Sequence, residues 1–245
     1  MNMEVKMSIL EKLENNRGKY VSGENLAHDL GVSRQAVSKA VNALKTEGFS
    51  IRAVPNRGYM MPAEFDVLSA KRISECTGTR VFLFDCVKST NEEAAKLYSE
   101  NGECIVVSRA QSDGKRKDGG NFPSPLDRGI YCSIALPLDL PIGKLVDLRQ
   151  KCGNIVAETI SRSSGQTAAC RRVDEVYIGN DKVAGILIEC AVNAATERTT
   201  AAIIGIGIYF YTDGSPSPLP VFPDETRNNM LCEIYLKLKN ELNNF

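Results

Sequence analysis

Apolar residues recur at helical spacing through the N-terminal part of the chain. Val5, Ile9, Leu10 and Leu13 make the stripe of an amphipathic helix over Met3 to Asn15, and Gly18 ends it. Ser22 caps a second helix whose Leu26, Ala27 and Leu30 face inward, and Gly31 supplies a turn. Ser33 caps a third, in which Val37, Val41 and Leu44 form the buried stripe while Arg34, Gln35, Ser38, Lys39 and Asn42 face away. After Gly48 the period drops to two. Phe49 and Ile51, then Tyr59 and Met61 beyond a Pro55-Asn56 turn, predict a β-hairpin.

From Ala63 to about Arg80 the pattern reads as a linking helix, with Val67, Leu68 and Ile73 apolar. Runs rich in β-branched and aromatic residues follow and predict strands: Val81 to Asp85, Cys104 to Ser108, Ile130 to Leu138, Glu175 to Ile178, Val183 to Val192 and Thr200 to Tyr211. Helical stretches lie between or after them at Asn91 to Glu100, Lys144 to Ser161 and Asn228 to Leu242. The expected class is α+β, a mixed sheet flanked by helices over residues 81–245, preceded by a winged helix-turn-helix over 1–62 and a linking helix over 63–80.

The winged helix brings double-stranded DNA into view as a partner. Ser33, Arg34, Gln35, Ser38, Lys39 and Asn42 stand where a recognition helix reaches base edges and phosphates, and Arg52 and Arg57 sit on the hairpin, suited to backbone or minor-groove contact. Charge agrees in sign. The chain balances 30 basic against 30 acidic residues. Through residue 62, however, nine Lys/Arg face six Asp/Glu, an excess too small to stand alone. The alternative is a small helical and hairpin domain used for protein contacts. His28, the single histidine, reads as a surface residue on the second helix.

At 43% apolar and 24% charged the composition is that of a globular chain, without repeats or low-complexity tracts. The N-terminus is polar from Glu4 onward and no run reaches the ~18 apolar residues of a membrane span, so a cytoplasmic protein without membrane contact is expected. Eight cysteines are scattered without a CxxC pair, mostly in apolar runs. They read as reduced, buried thiols, with no metal site expected.

Three constellations could carry chemistry. Ser89, Thr90 and Asn91 lie between a strand and a helix, where their side chains can cap the helix or meet a polar ligand. Gln111 precedes Gly114-Lys115-Arg116-Lys117-Asp118-Gly119-Gly120, whose backbone amides and cations, Lys115 and Lys117 among them, suit a phosphate or adenylate; solvated turns share this composition. Gly185, before Ile186 and Leu187 in a strand, permits close approach to a flat ligand, or simply belongs to a buried strand.

Taken in order after a winged helix, KSTNEEA, QSDGKRKDGG with NFPSP, IYCSIALPL, YIGNDKVAGILIE and GIGI resemble the bifunctional biotin protein ligase and biotin operon repressor family over nearly the whole chain. The resemblance implies a class II synthetase-like domain that condenses biotin with ATP to biotinoyl-5'-AMP and passes biotin to a lysine of an acceptor protein. It also implies a homodimer that binds a palindromic operator when charged with the adenylate. Carried over by motif, Ser89, Thr90 and Gln111 would meet the biotin head group, with Asn91 beside them as a further candidate ligand-binding residue. Gly114, Lys115 and Lys117 would fold over ligand and phosphate, and Gly185, Ile186 and Leu187 would line the pocket.

Departures from the family pattern fall on the chemistry. Counting back from Lys182, Arg171 takes the place of the lysine expected to contact carboxylate and phosphate, and Arg has a different, forked geometry. Asp118 stands where the family loop carries a cation, and Tyr209 where it carries Asn. The segment after Phe222-Pro223-Asp224-Glu225 that helps hold adenine is almost absent, and the sequence stops at Phe245, where relatives commonly continue into an SH3-like barrel; the barrel is expected to be absent. Three readings follow. The first is a regulator sensing a small effector, biotin or its adenylate, with adenylation weak or lost. The second is an active ligase using ATP, Mg and an acceptor protein, and the third a ligand-independent DNA-binding dimer.

Overall fold

A computed structural model describes residues 3–46, 49, 51–55, 57–61, 68–210 and 226–243. The chain divides into two compact units, Met1–Val67 and Leu68–Phe245.

The first unit holds helices α1 (Met3–Glu14), α2 (Gly23–Asp29) and α3 (Arg34–Thr46) and the strands β1 (Arg52–Val54) and β2 (Gly58–Met60). Polar caps start two of the helices: Ser22 Oγ accepts from the Glu24 amide at 3.2 Å, and Ser33 Oγ from that of Ala36 at 3.1 Å. Ile9 and Leu13, Leu26, and Val37, Val41 and Leu44 bury together with Ile51 and Met61. Ala40, one helical turn from Val37, joins that stripe. The hairpin pairs Arg52 with Met60 and Val54 with Gly58, and Tyr59 bridges back to Val21 just before α2. Gly48 and the hairpin residue Asn56 lie outside the described residues.

The second unit opens with α4 (Ala70–Thr77). This helix is shorter than the expected span of 63–80. Ser69 caps its start, Gly78 ends it in the left-handed conformation at φ 68°, and Arg80 already belongs to a strand. Residues 63–67 lie outside the described set. The helix packs on elements of its own unit, the first strand and the last helix.

Beyond it run β3 (Arg80–Phe84), α5 (Thr90–Asn101), β4 (Cys104–Ser108), β5 (Gly129–Pro137), α6 (Leu145–Ser164), β6 (Ala168–Arg171), β7 (Glu175–Ile178), β8 (Asp181–Asn193), β9 (Arg198–Tyr209) and α7 (Thr226–Leu242). The seven strands form one mixed sheet in the order β3-β4-β5-β9-β8-β7-β6, parallel between β3 and β4 and antiparallel elsewhere. Strand β6 escaped the sequence reading because Ala-Ala-Cys-Arg is short and lacks β-branched or aromatic residues.

Period-two alternation decides what each face of the sheet does. On one face Ile130, Ile134, Ile204, Ile206 and Ile208 meet Leu148, Val156 and Ile160 of α6 and Leu231, Ile234 and Leu238 of α7 in the main core. Full burial of each such side chain is worth about 1.5–3 kcal/mol. On the other face α5 covers Val106, Ala135 and Ile203 through Ala94. The residues two and four positions beyond Ile203 are Gly205 and Gly207, and there the sheet surface becomes the floor of a cavity.

Candidate functional site

The cavity encloses about 440 Å³, within the range of small-molecule sites. Ser89, Thr90, Asn91, Gln111, Lys115, Lys117, Gly185, Ile186 and Leu187, separated widely in sequence, all line it. Sheet register explains the convergence. Ser133, Gly205 and Leu187 stand abreast on β5, β9 and β8, and the next row on the same face is Tyr131, Gly207, Gly185 and Glu175.

At one end the floor is polar and uncharged. Gln111 Oε1 accepts from the Thr90 amide at 2.8 Å and from Thr90 Oγ1 at 3.1 Å, while Gln111 Nε2 donates to Ser124 Oγ at 2.8 Å. Ser133 Oγ lies 2.8 Å from Thr90 Oγ1 and donates to Asn91 Oδ1 at 2.6 Å, and Asn91 Nδ2 donates to Glu189 at 2.6 Å. Ser89, buried at the head of α5, lines the cavity and makes no capping bond with its side chain. A network of this kind fixes rotamers before binding and presents donors and acceptors suited to a neutral heterocycle.

The glycine-rich segment is a hairpin. Lys115 bridges to Asn121, the Phe122 amide donates to Gly114 O at 2.6 Å, and the Arg116 amide donates to Gly120 O at 2.9 Å. Gly114 shapes this turn and does not line the cavity: a Cβ there would stand 2.5 Å from Phe122 O. Asp118 braces it, accepting from the Gly120 amide at 3.0 Å and pairing with Arg116 at 2.9 Å. Phe122 closes one wall, stacked on Tyr209 at 4.7 Å and 10°. A Cβ on Gly207 would meet that ring at 2.2 Å and one on Gly205 would meet Asn91 Oδ1 at 2.2 Å. The close approach that glycines allow is thus taken up by the chain's own side chains as well as by the cavity. Burial raises the Tyr209 hydroxyl to about 12.

The charged end is internally neutralised. Lys115 pairs with Glu92, Arg116 with Asp118, Lys117 with Asp174 and Lys182 with Glu175. Hydrogen bonding from Lys115 and Lys182 holds the carboxyls of Glu92 and Glu175, respectively, below their ordinary value.

Arg171 departs from expectation. It ends β6 with its guanidinium 5.1 Å from the Tyr177 ring centroid and does not line the cavity. The turn that follows, with Arg172 and Val173 at φ 52° and 72°, brings Arg172, Asp174 and Glu175 to the cavity instead. Sequence reasoning also missed Phe122, Lys182, Gly205 and Gly207 as lining residues, and Ser133 beneath them. Ser133 left one signal, a lone hydroxyl in an otherwise apolar strand.

In the first unit Ser33, Arg34, Gln35, Lys39 and Asn42 are exposed and Ser38 is half-buried, all on the face of α3 away from its buried stripe. Arg52 and Arg57 are exposed on the hairpin, the latter 4.3 Å over the Tyr20 ring. His28 is exposed on α2 beside Asp29.

Four cysteines, Cys104, Cys132, Cys152 and Cys232, are buried, but Cys76 and Cys86 are exposed, against the expectation for most of the set. Among the described residues no cluster of three or more His, Cys, Asp or Glu is placed to hold a metal ion, and no helix is long and apolar enough to cross a membrane.

A helix-turn-helix unit of a DNA-binding class and a mixed sheet with a glycine-floored cavity define a two-part chain. Residues 6–60 match an HTH domain, and residues 83–208 match the biotin/lipoate A/B protein ligase family. The chain belongs to that ligase family. It is 27% identical to the bifunctional ligase/repressor BirA of Bacillus subtilis over 235 residues, 93% of this chain and 70% of the relative. It is also 27% identical to BirA of Escherichia coli over 194 residues, 78% of this chain and 60% of the relative. Among solved structures, the biotin protein ligase from Aquifex aeolicus in complex with biotin and ATP shares the fold at TM-score 0.51 and 21% identity, covering 67% of this chain and 71% of that one.

Proposed function

We propose that this protein is a DNA-binding transcriptional regulator whose ligase-like domain senses a small ligand, biotin or biotinoyl-5'-AMP, and couples it to dimerisation on a palindromic operator, with adenylation weak or lost. The observation that carries the reading is the pairing of Lys115, Arg116, Lys117 and Lys182 with four carboxylates of the same chain. A triphosphate would have to displace those carboxylates and then lie among them. A pre-arranged positive field, the usual source of transition-state stabilisation in phosphate chemistry, is largely cancelled.

The uncharged end of the cavity, by contrast, suits a ring that both donates and accepts hydrogen bonds. Ser89, Thr90, Asn91 and Gln111 would hold such a ring, and Gly185, Ile186 and Leu187 would flank the chain attached to it. In the first unit, the exposed face of α3 and Arg52 and Arg57 on the hairpin supply the side chains that would meet DNA.

A second reading, an active biotin ligase using ATP, Mg and an acceptor protein, is favoured by family membership and by the five cations lining the cavity, with Arg172 the fifth. Incorporation of labelled biotin into a biotin-acceptor domain separates the two. Biotin binding without measurable transfer is expected; sustained transfer would establish the second reading and overturn the first.

A further inference from the structure

The hairpin that walls the cavity has a buried root. Behind its turn the Gln111 amide donates to Ser124 O at 3.0 Å, and at the base the Asp127 amide donates to Arg109 O at 2.9 Å. Side chains repeat that last pairing: Arg109 Nε and Nη2 donate to the two carboxylate oxygens of Asp127 at 3.0 and 2.6 Å. Gln111, Lys115, Lys117 and Phe122 of the cavity lining all lie between residues 109 and 127, so a ligand that touches them bears on this root. Asp127 holds φ 57°, a left-handed conformation that a residue with a side chain keeps only where its surroundings enforce it.

Asp127 is shared with a second buried guanidinium. Nη1 of Arg227, in the first turn of α7, lies 3.8 Å from Asp127 Oδ1 and donates to Gly129 O at 3.4 Å. Arg227 is 5% exposed, and a charge so placed is held by its counter-charges, which ties the start of α7 to the hairpin root. The next residue, Asn228, is 2% exposed, and its Oδ1 accepts from the Ser69 amide at 2.8 Å. Ser69 caps α4 and follows Val67, the end of the first unit, by two residues. Two consecutive buried polar side chains thus point to different places: Arg227 to the cavity hairpin, Asn228 to the start of the second unit. Apolar side chains would serve packing there without the cost of desolvation.

We propose that Asp127, Arg227 and Asn228 are positioning residues that carry ligand occupancy from the cavity hairpin to the head of α4, and so to the segment leading to the helix-turn-helix unit. The inference rests on the biotin-sensing reading above and names the residues that couple its two parts. A ligand gripped by the hairpin removes freedom from residues 109–127. That fixes Asp127, keeps Arg227 in place and holds Asn228 on the Ser69 amide. Ordering one end lowers the cost of ordering the other, and the effect is reciprocal: operator DNA should tighten biotin binding by the factor by which biotin tightens DNA binding.

Hydrogen exchange at the Ser69 amide, read by NMR on the full chain, tests the relay without DNA. Biotin should slow that exchange about tenfold, the size of an ordinary coupling. Asp127→Asn keeps the shape and tolerates the left-handed backbone but removes the charge, so biotin should still bind while the slowing disappears. Fluorescence anisotropy with a palindromic duplex gives a second readout, in which biotin should tighten operator binding by the parent. Asn228→Ala should leave biotin affinity unchanged by titration and make operator affinity the same with and without biotin. Asn228→Asp, which keeps the acceptor, should restore the biotin effect; a role in stability alone would not separate these quantities. The readouts use different variants, so misfolding of one leaves the other decisive. Slowing at Ser69 that persists in Asp127→Asn, an operator response that survives Asn228→Ala, or biotin bound by the parent without change at Ser69 or in operator affinity would overturn the relay and leave biotin binding standing. Absence of biotin binding to the unaltered chain would remove both the relay and the reading beneath it.

Discussion

Ser133 shows how one buried hydroxyl organises a site. It sits in the middle of β5, fully enclosed, within hydrogen-bonding distance of Thr90 and Asn91, and those two residues present the cavity's neutral end. Removing it takes the donor from Asn91 Oδ1, while Thr90 keeps its bond to Gln111, and an unmet buried polar group costs about 1–3 kcal/mol. Ser133→Ala should lower stability by about that amount. It should also weaken biotin binding, since Thr90 and Asn91 lose the contact that fixes them. Thermal unfolding and titration check the two effects, and a variant as stable and as tight as the parent would show the network to be incidental. Legibility in the sequence varied at this scale with what sets each side chain's direction. Ser89, Thr90 and Asn91 could be picked out because they mark a strand–helix junction, and Gln111 because it precedes a glycine-rich basic run. Arg171 was misplaced because an ungapped count carries no information about the turn at Arg172 and Val173, whose positive φ values redirect the chain.

The elements were easier to read than their edges. All six expected strands and all three expected helices of the sheet domain have counterparts in the described residues, since long β-branched runs and 3.6-residue stripes are strong signals. The bulge in β8, the four-residue β6 and the hairpin at Gly114 to Phe122 depend on tertiary pairing and left little local trace. The glycines of β9 illustrate the difference. In sequence GIGI is part of an expected strand; in the fold it is the surface on which Asn91 of α5 and the Phe122 ring rest. Gly205→Ala would drive a methyl group to 2.2 Å from Asn91 Oδ1, closer than any real contact. The Asn91 side chain must then leave its place, giving up its bonds to Ser133 and Glu189, and overpacking of this kind costs about 1–3 kcal/mol. Loss of biotin binding with the sheet domain still folded, by titration and circular dichroism, is the expected result. Unchanged binding would mean that α5 does not set the ligand site.

For the molecule as a whole, the proposed function joins two units whose contributions can be tested separately. In the first, Arg34 opens α3 on its exposed face. If it reads a base, Arg34→Ala should weaken operator binding by about 1–3 kcal/mol without changing biotin affinity. Fluorescence anisotropy with a palindromic duplex measures the first quantity, and equal DNA affinities would move recognition to other residues. In the second unit, family membership is settled by residues 83–208, but membership does not decide whether adenylation persists. That turns on how far the four internal ion pairs cancel the field a triphosphate requires. The most direct test is isothermal titration of the full chain with biotin, in the absence and presence of MgATP. The account predicts one biotin bound per chain with the same affinity in both conditions. A large tightening in MgATP, the sign that an adenylate forms and stays bound, would contradict it.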